Sequence, residues 1–353
     1  MERLDYFIKR VLLIFPTFLG ITFIVFTLCQ FVPGGPIEQL LAQLKVGTGA
    51  ESGGGAQASA ALTEELLEEL KAEFGFDKPL LVRYWDWLWH KRAGLMMESY
   101  KWRGQQSWEV IVSRFRVSLI FGLIGFILTY IVCIPLGIAK ALRDGEAFDV
   151  LSSLVVFTGY AIPAFAFGML LKMLLSGTSD DLFGLFPSLD WFPVSGFESE
   201  NFASLSTWEQ FKDRVHHMFL PILCYILSSF AVLTLLMKNS LLEQISQDYV
   251  RTVLAQGGSL SRAIWGHALR NALIPIATGI GGILTVFFAG SVLIESVFEI
   301  PGMGKLSLDA IVSRDYAVFM AILSLTSVLA LIGNIITDMT YVLIDPRINF
   351  EGR

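Results

Sequence analysis

Charge is scarce in this sequence: Asp, Glu, Lys and Arg make up 16% of 353 residues, against 54% hydrophobic residues. That balance excludes an ordinary soluble enzyme and fits a polytopic membrane protein whose main solvent is lipid. The formal net charge is -6, with no basic surface to attract nucleic acid, so no nucleic-acid partner is expected. Cysteine is nearly absent. Cys29, Cys133 and Cys224 all fall inside apolar segments, where a thiol packs as a small hydrophobe, and they offer neither a disulfide framework nor a ligand spacing. Histidine is as rare: His90, His216, His217 and His267 include one adjacent pair, but no carboxylate or cysteine completes a set at helical spacing, so no metal site is expected.

Catalytic signatures are missing too. Gly304-Lys305 is followed by Leu306 and so makes no phosphate-binding loop, and there is no H-E-x-x-H, no G-x-S-x-G and no G-x-G-x-x-G after a strand. No catalytic residue is assigned, and any nucleotide energy has to come from another chain. An intramembrane enzyme would need a nucleophile or paired acids at matched depth, whereas Glu295 and Asp338 are expected near opposite ends of the membrane.

What the sequence has is long apolar runs. A span needs about 20 mostly apolar residues, and six stretches qualify, near 11–31, 117–139, 150–175, 218–237, 272–294 and 320–344. The expected fold is therefore all-α, with six transmembrane helices. Arg3, Lys9 and Arg10 place the N-terminus in the cytoplasm, and an even number of spans returns the C-terminus, with Arg347 and Arg353, to the same side. The first stretch is long and no small-residue cleavage site follows it before "FVPGGPI", so it is expected to be a retained span.

The organisation that follows is a first helix over 1–31, an extracytoplasmic insertion over 32–116, a transmembrane core over 117–344 with a cytoplasmic loop at 238–271, and a cytoplasmic tail over 345–353. In the insertion, "VGTGAESGGGAQASAA" has a linker composition. "LTEELLEELKAEFGF" then predicts a helix capped by Thr63, continued by "DKPLLVRYWDWLWHKR". Its Tyr84, Trp85, Trp87 and Trp89 fit interfacial anchors better than a ligand cage. A second outer stretch, 176–217, carries "SDDLFGLFPSLDWFPVSGFESENF", which can touch a soluble partner or cap the helices.

Polar residues inside the apolar runs are few. Glu295 lies near the outer end of the fifth span, and Asn334, Asp338 and Tyr341 recur at helical spacing near the inner end of the sixth. Such groups line a pathway or lock helices together. Lys172, near an outer boundary, can snorkel to the headgroups.

One polar stretch interrupts the pattern: "YVRTVLAQGGSLSRAIWGHALRNALIPI", residues 249–276. Ser246 can cap a helix through about Gln256, which Gly257 and Gly258 end, and a second helix starts near Ser259 or Ser261. Leu260, Ile264, Trp265, Ala268 and Leu269 form one apolar stripe, with Arg262, His267, Arg270 and Asn271 on the other faces. Spacing alone leaves two readings, an anchor in the lipid interface or a docking element.

"YVRTVLAQG" followed by "HALRNALIPI" resembles the cytoplasmic EAA-type loop of ABC importer permeases, in the form used by the oligopeptide and dipeptide permease family. The similarity continues through "IFPTFLGITFIVFTLCQFVPGGPI", "FGFDKPLLVRY", "IPLGIAKA", "GYAIPAFAFGMLL", "SVLIESVFEIPGMGKL", "SRDYAVF" and "LIDPRINFEGR". The Gly-rich insertion and the "DPRINFEGR" ending most resemble the YejB-type branch of peptide and microcin C permeases. The chain departs from the family at 253–257, where Val253, Leu254, Ala255, Gln256 and Gly257 stand in place of the usual A-R-A-K-G, so docking is expected to rest on Arg251, Arg262 and Arg270.

The resemblance implies an ABC type I importer permease fold in a bacterial inner membrane. It assigns coupling to an ATPase to Tyr249, Arg251, Thr252, Ala255, Gly257, Arg262, His267, Arg270 and Asn271, and leaves Glu295, Asn334 and Asp338 as pathway or helix-packing candidates. It implies a second homologous permease subunit, ABC ATPase subunits and an extracytoplasmic peptide-binding protein, with ATP and Mg held by the ATPase and no cofactor in this chain. ATP closes the ATPases, the loop moves as a lever, and the spans alternate between inward-facing and outward-facing. A permease of the same family for nickel or glutathione is the nearest alternative. A gradient-driven transporter is less well supported, because no clear 3+3 repeat is present.

Overall fold

The computed structural model describes residues 2–31, 78–176, 181–182, 186–187, 189–279 and 290–344. The Gly-rich run and the Thr63 cap lie outside the described residues. So do the tail after Ile344 and residues 280–289 of the expected fifth span.

Three described helices are long and apolar enough to cross a membrane, over Tyr6–Gln30, Ser107–Leu142 and Tyr316–Thr340, and two bent pairs pass the same test together. The first of these helices belongs to α1 (Glu2–Phe31). The next described helix is α2 (Leu80–Trp85), which starts at Pro79, continues into a wide turn over Asp86–His90 and leads to α3 (Ser107–Leu142).

The expected span 150–175 is two helices, α4 (Ala147–Ala161) and α5 (Ala164–Leu175), meeting at 94°. Proline explains the correction. Its ring clashes with a helical residue before it, and Ile162 accordingly sits at φ -90°, ψ 120°, while Pro163 starts the next helix. Apolar periodicity alone sees one continuous run there, and Pro163 is the residue in it expected to kink or start a helix.

The next helix, α6 (Thr207–Ile245), starts in a capping box: Ser206 accepts from the Glu209 N–H while the Glu209 side chain accepts from the Ser206 N–H. It extends well beyond the expected 218–237 and bends by 48° between Thr207–Leu227 and Ser229–Ile245. Two short helices follow, α7 (Asp248–Ala255) and α8, which comprises Leu260–Ala263, a wide turn Ile264–Ala268 and Leu269–Ala272. Then come α9 (Ile274–Thr278), α10 (Val292–Val297), α11 (Met303–Val312) and α12 (Tyr316–Ile344). The all-α expectation needs one amendment: β1 (Asp181–Leu182) and β2 (Phe186–Pro187) pair antiparallel in the outer stretch.

The chain divides into two compact units. One comprises Met1–Phe7, Arg114–Lys305 and Leu329–Arg353, the other Ile8–Ser113 and Leu306–Val328.

In the first unit α3 and α6 cross closely. A Cβ on Gly137 would lie 2.6 Å from Met237 Cβ and 2.7 Å from the Thr234 carbonyl, so only glycine permits the approach. Cys133 and Cys224 are fully buried among apolar side chains.

In the second unit Tyr84 and Trp87 pack on Phe26 of α1 and on Met320, and the Tyr84 hydroxyl meets Thr22 Oγ1 at 2.8 Å. The four insertion aromatics therefore divide: Tyr84 and Trp87 are core, while Trp85 and Trp89 are exposed as interfacial anchors would be. Asp315 closes this unit. It accepts from the Ser99 hydroxyl at 2.5 Å and the Lys101 N–H at 3.1 Å, and caps α12 through the Val318 N–H at 3.2 Å. Burial, with the Asp315 charge in second place, pushes the Tyr100 hydroxyl well above the usual tyrosine range.

Candidate functional site

The polar stretch 248–272 is built on a glycine reversal. α7 ends at Ala255, Gly257 takes the left-handed conformation at φ 82°, and the Gly258 N–H returns to the Val253 carbonyl at 2.9 Å. Gly258 is also required by space, since a Cβ there would lie 2.7 Å from Val253 Cγ1. Ser259 then caps α8 by accepting from the Arg262 N–H at 3.3 Å. The expected Ser246 cap is displaced: Ser246 ends α6, and Gln247 precedes α7 without a side-chain cap bond.

One face of this helical pair is sealed. Val250, Ala263, Ile264, Ala268 and Ala272 are buried in a core shared with Ile138 and Ala141 of α3 and Met237 and Leu241 of α6. The expected apolar stripe is split, because Ile264 and Ala268 face that core whereas Leu260 and Trp265 are 52% and 58% exposed. The wide turn at Ile264–Ala268 accounts for the difference: its longer hydrogen-bonded ring shifts the phase that a regular helix would keep.

The outer face carries the residues singled out by sequence. Arg251, Thr252, Ala255, Gly257, Arg262, His267, Arg270 and Asn271 are all exposed. Tyr249 is half-buried and donates to Gln244 Oε1 at 2.9 Å, pinning α7 to the end of α6. Arg251 has a local partner in Asp248 at 3.5 Å, with both side chains largely in solvent, so the pair contributes little. The segment thus has a buried apolar face and an exposed face that carries its basic side chains together with Leu254, Leu260 and Trp265.

Glu295 is the opposite kind of site. Its carboxylate is 1% exposed and sits on the first turn of α10. Oε1 accepts from the Ser118 hydroxyl at 3.0 Å, the Ser291 N–H at 3.3 Å and the Tyr225 hydroxyl at 3.4 Å, and Oε2 accepts from the Lys305 N–H at 2.8 Å. Ser118 in turn accepts from the Met303 N–H at 2.7 Å, and Tyr225 from the Ser291 N–H at 3.0 Å. Glycines shape the cradle: a Cβ on Gly302 would lie 2.6 Å from both Glu295 Oε2 and Ser118 Oγ, one on Gly290 would press on Glu295 Oε1, and one on Gly304 would lie 2.6 Å from the Val292 nitrogen. The carboxylate thereby fastens α3, α6 and the 290–305 segment to one another.

The remaining candidates do not converge on Glu295. On α12, Asn334 is exposed and Asp338 is 7% exposed, so the spacing that placed them together does not give them a common environment. Lys172 also differs from expectation. Its ammonium donates to the Val297 carbonyl at 3.0 Å, where a cation meets the negative end of α10. His216 lies 2.6 Å from the Trp191 carbonyl and His217 lies 3.0 Å from the Asp213 carbonyl.

Sequence reasoning missed a charge cluster at the α3–α4 turn. Lys140 is fully buried and its ammonium meets the Asp149 carbonyl at 2.9 Å, Ser152 Oγ at 2.9 Å, Ser153 Oγ at 2.7 Å and Asp149 Oδ1 at 2.9 Å. Lys238 bridges Asp149 Oδ2 at 2.8 Å and Asp144 Oδ1 at 2.7 Å. The available signal was a pair of lysines and a pair of aspartates at the ends of apolar runs, expected on one side of the membrane.

Residues 133–350 match the model of the family described as binding-protein-dependent transport system inner membrane component. The chain is 37% identical to the peptidoglycan transport system permease protein YejB of Agrobacterium fabrum, and 37% identical to the inner membrane ABC transporter permease protein YejB of Escherichia coli O157:H7, in both cases over 99% of each chain. It is 34% identical to the oligopeptide transport system permease protein AppB of Bacillus subtilis, over 98% of this chain and 99% of that one. A membrane protein that seats a polar helical pair on its core, and matches this family over most of its length, belongs to the inner membrane permeases of binding-protein-dependent ABC importers.

Proposed function

We propose that the chain is one permease subunit of an ATP-driven peptide importer, forming half of the translocation pathway and coupling to a separate ATPase through 249–271. Its relatives are peptide and peptidoglycan permeases by name, and the YejB-type relatives make short peptides, peptide antibiotics such as microcin C and cell-wall peptides the first substrates to try. A second homologous permease completes the pathway, an extracytoplasmic binding protein delivers cargo, and the ATPase holds ATP and Mg. The chain itself works as a transporter component without an ATPase site. Six spans in a bacterial inner membrane, with both termini cytoplasmic, complete the proposal.

The observation that carries the coupling role is the exposed basic face set on a buried apolar one. Arg251, Arg262 and Arg270 can pair with acidic groups of the ATPase, while Leu254, Leu260 and Trp265 offer it exposed apolar contacts. Because the inward face is sealed against α3 and α6, a push on the segment moves those helices rather than flexing a loop.

Glu295 serves this function as a lock and not as a pathway residue, since its oxygens face donors of its own chain. Asn334 and Asp338 remain candidates for the pathway or for helix packing.

Gly257→Trp tests the coupling role. Nothing lies within 4 Å of a Cβ at this position, so the protein inserts and folds with about 1–2 kcal/mol of left-handed strain. In the reconstituted complex, ATP-dependent peptide uptake is lost with normal membrane levels of the chain. Full uptake would remove the coupling assignment.

A further inference from the structure

The Lys140, Asp149 and Lys238 cluster is unexplained by the coupling surface or by the Glu295 lock. Two lysines and an aspartate are taken almost fully out of solvent, with side-chain exposures of 0%, 13% and 8%. Burying such charges carries a desolvation penalty that apolar side chains of similar size avoid, so stability alone gives little reason to keep them. What charges supply and apolar residues do not is a fixed, directional connection. All three protons of the Lys140 ammonium have acceptors, and Lys238 holds the carboxylates of Asp144 and Asp149 at once.

The placement of this connection is specific. Lys140 is next to Ala141 and Lys238 next to Met237, and both neighbours belong to the core that seats α7 and α8. The coupling segment and the charge cluster therefore grip the same stretches of α3 and α6. The crossing at Gly137 fixes those two helices against each other at the same level.

The cluster's remaining member leads elsewhere. Asp149 stands on the first turn of α4, and within that helix only Asp149 and Val156 are buried. Val150, Leu151, Leu154, Val155, Phe157 and Tyr160 are each more than half exposed. α4 is thus tied at its start by the cluster, packs tightly again where Val156 is buried and a Cβ on Gly159 would lie 2.9 Å from Leu227 Cδ1 of α6, and meets α5 through the 94° break.

We infer that Lys140, Asp149 and Lys238, with Asp144 on the connecting turn, form a joint that passes displacement of the coupling segment to α4 and swings that helix about the Ile162–Pro163 break. This rests on the reading of 249–271 as the ATPase-coupling element. These residues are positioning residues: they touch neither cargo nor ATPase, and act through the helix they hold.

The test uses the whole importer, purified through a tag on this chain and reconstituted in liposomes, with peptide uptake and ATP hydrolysis measured on the same sample. Lys238→Met and Asp149→Asn keep the ATPase bound and hydrolysing, while peptide moved per ATP falls about tenfold, the scale of coupling between linked sites. Lys238→Arg, which preserves a cation between the two carboxylates, restores most of that ratio. An unchanged ratio in both disrupted variants overturns the joint, as does loss of the ATPase from the purified complex, which would assign the cluster to folding. Arg270→Glu on the exposed coupling face is run in parallel. If it alters neither ATPase binding nor uptake, the coupling reading fails instead, and the two failures are told apart.

Discussion

Two polar regions of this chain are built in opposite senses. Around Glu295 a buried carboxylate meets donors from α3, α6 and the 290–305 segment inside one unit. Along 248–272 the charged side chains turn outward, and the contacts to the rest of the protein are made by apolar side chains and by Tyr249. A polar group surrounded by its own chain holds the fold, whereas one set rigidly at the surface is addressed to something else. On the proposed reading, the contrast separates residues that hold the fold from residues that meet a partner where composition could not, since both regions are polar islands beside apolar spans.

Breaking the inner region should have the largest effect on stability. Glu295→Leu leaves the Ser118 and Tyr225 hydroxyls and the Lys305 N–H without this acceptor, while the Ser291 N–H keeps Tyr225, and is expected to cost about 3–5 kcal/mol. Thermal unfolding of the purified protein would show it as a large drop in Tm, with Glu295→Gln intermediate because one amide oxygen still accepts. A Tm within a degree or two of wild type for Glu295→Leu would dissolve the contrast.

A smaller effect is expected at the seam of the outer region. Ser259→Ala removes the hydroxyl that accepts from the Arg262 N–H, costing about 1 kcal/mol of local stability. Hydrogen exchange of the α8 amides reads that loss directly, with α3 unaffected.

The smallest stability effect belongs to the outward side chains. Arg270→Ala should change stability by less than about 0.5 kcal/mol, while lowering peptide uptake by the assembled importer. Stability loss without loss of uptake would reverse the assignment of inner and outer regions.

Alkaline titration sharpens the comparison within the other unit. Tyr100 is held neutral by burial and then by Asp315, so its contribution to stability is complete below the ordinary tyrosine value of about 10 and is lost as pH rises above it. Tyr100→Phe should lessen that alkaline loss.

Much of this was legible in the sequence, and the failures have physical causes. The Gly257 reversal and the Ser259 cap follow from local chemistry, because left-handed backbone favours glycine and exposed N–H groups favour a serine oxygen. The spans near 11–31, 117–139 and 320–344 follow from apolar length. Apolar length alone counts 150–175 as one span, but Pro163 is a residue expected to kink or start a helix and it starts α5, whereas Pro135 is accommodated inside α3. Trp265 was misplaced because a wide turn changes helical phase without any change in residue type. Glu295 was visible as an intramembrane carboxylate, but its partners at Ser118 and Tyr225 lie 177 and 70 residues away in sequence. The Lys140 cluster likewise joins positions whose meeting is set by helix crossing rather than by spacing.

The central claim is that 249–271 is addressed to an ATPase, and a photo-crosslinking side chain in place of Trp265 tests it most directly. Irradiation of the assembled, ATP-hydrolysing importer should give an adduct between this chain and the ATPase subunit. Adducts confined to lipid or to this chain, in a complex that still hydrolyses ATP and imports peptide, would contradict the account.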